Sequence, residues 1–487
     1  MMRDEVKAIG YERRAVSPGI LHFGVGNFHR AHQAFYLNEY LCLTGDLQWG
    51  ICGAMILERD EAVYRALKAQ DGVYGISVFG NDGEVMRRKI GSIVDLFWGG
   101  EDADAVISRI ADPNIKIITL TITEGGYNLN PKNGEFDLSA TDILHDLQGQ
   151  DVPRTVFGYI AAGLQRRRKI NDLPLTILSC DNVPHNGDAC RKAFSAYFRA
   201  VDADLADWVA DRVSFPNSMV DRITPSVSAR ERERIAFDIA GQKDRAPVYC
   251  EEFIQWVIED SFAAGRPALE RVGVEFVDDV SRYEFLKLGI VNSTHQMLSF
   301  PGLLAGYRKV DEAVADPLFH DYLTTYMIRD VLPYLAPPEG VDMSAYSATF
   351  MRRLQNKAIS DQLARLCFDA ANKIPRFMTP TVTQLLQAKA DTSRVAFLIA
   401  AYRSYLRGSR DDRGMPYEID DPGLSEADRK RVADDDPLAF LALNCFAGMP
   451  FDSSDSFVNN YLQSCVGIAS AGIRKTLREI RGCYYAN

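Results

Sequence analysis

Apolar positions in the first half of the chain switch repeatedly between two periods. Gly19–Phe23 is a short apolar run, and Phe28–Leu43 carries apolar residues at helical spacing. Trp49–Leu57 is a second apolar run, and Glu58–Lys68 returns to the helical pattern. Val73–Phe79 and Glu84–Ser92 follow as extended segments joined by Gly80-Asn81-Asp82-Gly83, a link that predicts a hairpin. Ile115–Thr123 is rich in β-branched residues and stops at Glu124-Gly125-Gly126. Pro153–Ile170 reads as an amphipathic helix whose basic end, Arg166-Arg167-Arg168-Lys169, suits the helix dipole. Pro174–Cys180 is another apolar strand. Strands alternating with helices predict βαβ units, a mostly parallel sheet and the α/β class.

From about Ser281 the strand-like runs largely disappear. Helical spacing takes over at Arg282–Phe300, Asp316–Val331, Ala358–Ala371, Val382–Ala388, Ser393–Arg407 and Ser456–Arg478. The expected division is therefore residues 1–280 as an α/β domain and 281–487 as a mostly helical one, each within the usual size of a domain. Pro301-Gly302 is read as a helix stop inside the second domain.

Composition narrows the function classes. A charged fraction of 25% and a hydrophobic fraction of 47% over 487 residues describe a soluble globular chain. The longest clean apolar stretches, such as Val395–Ala401, fall short of the ~18 residues a membrane span needs. Met1-Met2-Arg3-Asp4-Glu5 leads into no apolar signal core, so a secretory address is not expected. The net charge of −11 argues against nucleic acid as a partner. Nine scattered cysteines without CxxC spacing fit buried thiols in a reduced cytoplasm. Seven histidines without HExxH make a zinc site unexpected, so any acid or base must come from elsewhere.

The segment from Gly19 to Arg30 places Gly24 and Gly26 between the first strand and the first helix. Gly24 allows a tight turn, Gly26 lets the backbone approach a diphosphate, and the amides of Val25, Asn27 and Phe28 lead into the helix N-terminus. His29 stands where a third glycine would complete the dinucleotide fingerprint; a purely structural turn is the alternative. Glu58-Arg59-Asp60 follows the second strand, where an acid holds the adenosine ribose of NAD, whereas Arg59 would suit the 2′-phosphate of NADP; an exposed start to the next helix is the bland alternative. Later strand ends carry Glu124 and Asn182, placed for a nicotinamide and a substrate, or simply as helix caps.

The helical segment from Tyr283 to His295 gathers more chemistry. On an ideal helix, with Lys287 at the origin, Glu284 lies at about 60°, His295 at about 80° and Asn292 at about 140°. Their neighbours are mostly apolar, and burial would favour the neutral amine, which accepts a proton from an alcohol. Asn292 would then donate to the carbonyl oxygen. A Lys287–Glu284 surface pair and a core His295 are the alternatives. Arg365 and Lys373, eight residues apart, would share one face if a single helix ran through both before Pro375; they would hold hydroxyls or form a solvated face.

Six collinear blocks then carry a resemblance. GVGNFHRAHQAFY at 24–36, TLTITEGGY at 119–127, SCDNVPHNG at 179–187, SFPNSMVDRITP at 214–225, the Lys287/Asn292/His295 segment and SDQLARLCFDAANKIPRF at 360–377 resemble the polyol-specific long-chain dehydrogenases. The likeness runs from about Gly19 to Pro450. It implies an expanded Rossmann domain followed by a mostly helical domain, with the active site between them. It implies a metal-independent, nicotinamide-dependent oxidoreductase interconverting mannitol and fructose. Lys287 would be the general base, Asn182 and Asn292 the oxyanion pair, and His295, Arg365, Lys373, Val220 and Asp221 the substrate pocket. Arg59 departs from NAD-preferring relatives, but Asp60 is kept, so NAD is expected and NADP is the alternative. D-arabinitol dehydrogenase and fructuronate reductase are the neighbouring activities, and a non-catalytic nucleotide-binding redox sensor is the reading from another class. Relatives of this kind are cytoplasmic and commonly monomeric.

Overall fold

The computed structural model describes residues 6–130, 134–149, 152–239 and 241–484, with side chains to residue 480. The chain divides into two units, Met1–Ser281 and Arg282–Asn487.

The first unit is built on six parallel strands: β1 (Pro18–Phe23), β2 (Gly50–Met55), β3 (Ile93–Trp98), β4 (Ile117–Leu120), β5 (Leu175–Ser179) and β6 (Val213–Ser214). Their spatial order is β3-β2-β1-β4-β5-β6, which reverses direction beside β1. Ligands bind at such a switch point, outside the carboxyl ends of the strands. Strand residues alternate between two apolar cores. Ile20, Ile51 and Ile117 enter one, with helices Gln33–Thr44 and Glu61–Lys68. Leu21, Cys52 and Ile118 enter the other, with helices Ala103–Ile110, Val156–Ile170 and Asn186–Val201. Both faces are covered, so the strands read as continuous apolar runs rather than as alternating ones. Gly163 lets two of these helices touch, since a Cβ there would meet Ile110 Cβ at 2.4 Å.

The expected hairpin forms from Tyr74–Phe79 and Val85–Ile90, antiparallel with Tyr74 opposite Ile90. It belongs to a separate four-stranded sheet with Val6–Lys7 and Val248–Glu251. A three-stranded sheet, Ser218–Asp221, Gln255–Glu259 and Glu275–Val277, completes the expansion of the Rossmann core.

The second unit is helical, and its described residues form no strand longer than an isolated bridge. Helix Ser393–Arg407 is its centre, buried along nearly its whole length against Ser293–Leu304 and Asp455–Tyr484. Three expectations are corrected. Pro301-Gly302 does not stop the helix, which continues to Leu304 with both residues buried. Pro375 does not limit its helix either, because Ala370–Gln387 contains both Pro375 and Pro380. In each case the buried apolar face outweighs the local cost of a proline. Finally, no single helix spans 358–371: Leu363–Cys367 ends before Asp369, whose φ of +54° starts the next helix.

Candidate active site

The glycine turn is dictated by sterics. Gly24 has φ +95°, and a Cβ on it would lie 2.1 Å from the Thr121 carbonyl oxygen. Only glycine fits there. Gly26 is different, because its nearest neighbour to a Cβ is 3.8 Å away, which leaves open space for a ligand to approach the backbone. The Thr121 hydroxyl donates to Gly24 O at 2.7 Å. His22 Nε2 also lies 3.0 Å from that carbonyl, which can only accept, so Nε2 carries the proton. Nδ1 then accepts from the Thr119 hydroxyl at 2.8 Å. Burial holds the His22 pKa down at about 3, so the ring is neutral. His29 stacks on it, with ring centroids 3.4 Å apart. The missing third glycine is thereby explained: strand and helix meet here through two flat neutral imidazoles instead of a bare backbone.

A cavity of about 510 Å³ lies at the strand ends, lined by Gly24, Gly26, Arg59, Asp60, Thr121 and Gly125 among others. Asp60 accepts from the Leu57 amide at 3.2 Å, which fixes its carboxylate at the end of β2. Arg59 is exposed beside it. These residues fit a dinucleotide: an open glycine backbone for the diphosphate and an acid one strand over for the ribose. A larger cavity of about 840 Å³, lined by Asn27, Arg30, Arg232, Lys243 and Arg245, includes no residue from the carboxyl ends of the six strands.

Beyond β4 and β5 the loops are held by buried polar side chains. Asp181 accepts from the amides of Ile122 at 3.0 Å and Thr123 at 2.8 Å, and from the Tyr127 hydroxyl at 2.8 Å. Burial pushes its pKa up to about 6 against these hydrogen bonds. Glu124 is exposed at the start of the turn that Asp181 fixes. Asn182 is half-buried in the next loop. Asn186 ties that loop to the strand carrying Val220 and Asp221. It donates to Ser179 O at 3.2 Å, Asp181 O at 3.1 Å and Ser218 O at 2.8 Å, and accepts from the Ser218 amide at 2.8 Å. Val220 and Asp221 are buried at 4% and 6% exposure.

In the second unit, the segment Lys287–Asn292 is wound as a π-helix between α-helices Ser281–Leu286 and Ser293–Leu304. The angles of an ideal α-helix therefore do not apply between Lys287 and Asn292, where the winding is wider. Lys287 is 8% exposed, and Glu284 is buried with it. Asn292 Oδ1 is buried without a hydrogen-bond partner among the described residues. His295 meets the Phe350 ring edge-on at 5.4 Å.

Arg365 and Lys373 sit on different helices but meet, since Lys373 Nζ donates to the Arg365 carbonyl at 3.1 Å. Asp361 takes the Arg365 guanidinium in two bonds of 2.7 and 2.5 Å. Burial alone would raise the Asp361 pKa, but Arg365 and then His295 hold it below the ordinary range, which places His295 in the same electrostatic neighbourhood. Sequence reasoning passed over His22, Asp181, Asn186 and Asp361. Each lies within four residues of one it did select, but the roles of His22, Asp181 and Asn186 depend on partners distant in sequence. Among the described residues no group of three His, Cys, Asp or Glu side chains is arranged to hold a metal, and no helix is long and apolar enough to cross a membrane.

Two family models cover the chain in order: the mannitol dehydrogenase Rossmann domain over residues 18–271 and the mannitol dehydrogenase C-terminal domain over residues 279–466. The chain belongs to the mannitol dehydrogenase family. It is 42% identical to a polyol:NADP oxidoreductase of Gluconobacter oxydans, over 91% of each protein. It is 38% identical to a mannitol 2-dehydrogenase of Aspergillus fumigatus, over 97% of this chain and 95% of that protein. Among solved structures, the ternary complex of Pseudomonas fluorescens mannitol 2-dehydrogenase with NAD and D-mannitol is 41% identical, with a TM-score of 0.89 over 98% of this chain and 97% of the other. A substrate-free D-sorbitol dehydrogenase is 39% identical, with a TM-score of 0.88 over 97% and 98%. Mannitol dehydrogenase family membership accounts for the glycine turn, the expanded sheets and the helical second unit together.

Proposed function

We propose that this mannitol dehydrogenase family member interconverts mannitol and fructose with NAD, without a metal, and that Lys287 is its general base. When bound, the nicotinamide supplies the hydride acceptor or donor. The amides of Gly24–Phe28 hold the diphosphate, Asp60 the ribose, and Glu124 borders the cofactor site. Lys287, kept neutral, accepts the proton of the substrate C2 hydroxyl. The amides of Asn182 and Asn292 donate to the oxyanion that develops there, a role that typically contributes a few kcal/mol per donor. His295, Arg365, Lys373, Val220 and Asp221 hold the remaining hydroxyls.

The observation that carries this reading is the burial of Lys287 on a π-turn that runs to Asn292. π-Turns of this kind occur frequently at functional sites. The test is a panel of mannitol, D-arabinitol, sorbitol and fructuronate with NAD and NADP, read by nicotinamide absorbance. Mannitol with NAD is expected to give the highest kcat/KM. A clear preference for arabinitol or fructuronate would replace the substrate assignment. Cofactor binding with no substrate-dependent absorbance change would favour a redox sensor.

NADP is the second reading. Arg59 lines the cofactor cavity beside Asp60, and the Gluconobacter relative is named for NADP. A cytoplasmic monomer is the accompanying proposal, and sedimentation of the purified protein tests its oligomeric state.

A further inference from the structure

The π-turn that carries Lys287 and Asn292 is closed by a side chain. The Ser293 amide bonds to Leu288 O, five residues back, and to Ile290 O, three back. The α-helical bond from that amide to Gly289 O is not made. Instead, the Ser293 hydroxyl donates to Gly289 O. A serine hydroxyl bonding four residues back is common in helices, where it supplements the backbone bond to the same carbonyl. Here it stands in place of that bond. The hydroxyl thus secures the wide turn at the residue where the chain returns to α-helical winding.

The surroundings leave little freedom. Ser293 is fully buried and lies close to Tyr326 from a neighbouring helix. At Gly289 a Cβ would lie 3.1 and 3.2 Å from the Leu335 methyl groups and 3.4 Å from Val331. The widened turn is packed closely against its neighbours at this point.

We propose that Ser293 is a positioning residue: its hydroxyl holds the π-winding that sets how Lys287 and Asn292 stand to one another. Without it, the turn relaxes toward α-helical spacing and shifts the two groups. The inference rests on the proposed roles of those two residues.

The test compares S293T with S293V, which have the same shape and differ in the hydroxyl, alongside S293A and K287A. S293V and S293A are expected to lose roughly tenfold to a hundredfold in kcat, the scale of a small misplacement of reacting groups. KM for NAD should stay near wild type, and the acid limb of the kcat profile should move. S293T should restore kcat and the profile. A crystal structure of S293A should show Lys287 and Asn292 at α-helical spacing. If S293T and S293V have equal kcat, or the π-turn persists in S293A, the role of Ser293 is overturned. If wild type oxidises no polyol, or K287A turns over as fast as wild type, the proposed function fails and this inference falls with it. Wild-type activity that depends on Lys287 but not on the residue 293 hydroxyl removes the inference alone.

Discussion

The Thr123 amide donates to Asp181 Oδ1 at 2.8 Å, and this bond pins a threonine at φ +67° and ψ 167°. That conformation is almost confined to glycine and costs roughly 1–3 kcal/mol. The strain is held in place because Asp181 also binds the Ile122 amide and the Tyr127 hydroxyl. The outcome is a fixed loop end at the mouth of the cofactor cavity, which Thr123 helps to line.

Asp181 makes stability depend on pH. Its carboxyl is raised by burial from the ordinary 3.8 to about 6. A raised acid binds its proton more tightly in the fold, so the associated stability is full below pH 3.8 and lost as pH rises through about 6. Relative to D181N, wild type should lose roughly 3 kcal/mol between those limits. Urea unfolding of both proteins across pH 4 to 7 reads this difference; a gap between the curves that does not change with pH contradicts it.

The two glycines of the turn should fail differently. G24A drives a Cβ into the Thr121 carbonyl and forces a positive φ on alanine, so Tm should fall by several degrees. G26A meets only the Gly24 carbonyl, at an ordinary 3.8 Å, so Tm should stay within about a degree while the Kd for NAD rises at least tenfold. Calorimetry with and without NAD separates the two.

His22 and His29 are buried and neutral, with pKa values pushed below the ordinary range by desolvation. Each lowered base contributes stability at neutral pH that is lost as pH falls below about 6.5, at up to roughly 1.4 kcal/mol per pH unit. H29F keeps a flat ring against His22 and removes one titration. The stability of wild type relative to H29F should therefore fall between pH 6.5 and 5; a constant difference would contradict the neutral stack.

Much of this was legible from the sequence, and what was not has a physical reason. Gly24 could be read because a positive φ at a strand–helix turn demands glycine. The βαβ pattern was visible because parallel strands covered on both faces are unbroken apolar runs. The structural roles of Asp181 and Asn186 were not legible, since the amides and carbonyls they bind lie up to 59 and 32 residues away. Helical periodicity assumes a constant angle per residue, so it could not show the π-turn over Lys287–Asn292. Pro301 and Pro375 misled for a related reason: local rules count the lost hydrogen bond but not the buried face formed by residues such as Leu298 and Met378.

Asn186 should be as sensitive to substitution as residues that touch ligand. N186A strands several buried partners of Ser179, Asp181 and Ser218, each worth about 1–3 kcal/mol when left unpaired. A substantial loss of Tm is expected, and unchanged Tm would show that the loop carrying Asn182 is held by other means.

The most direct measurement is the pH dependence of mannitol oxidation by K287A. Removing a general base typically costs 10²–10⁴-fold, so kcat should fall by at least roughly a hundredfold. The acid limb of the kcat/KM profile should disappear, and NAD should still bind with wild-type affinity. A K287A enzyme with near-normal turnover at mildly alkaline pH and an intact acid limb would contradict the assignment of Lys287 as the base.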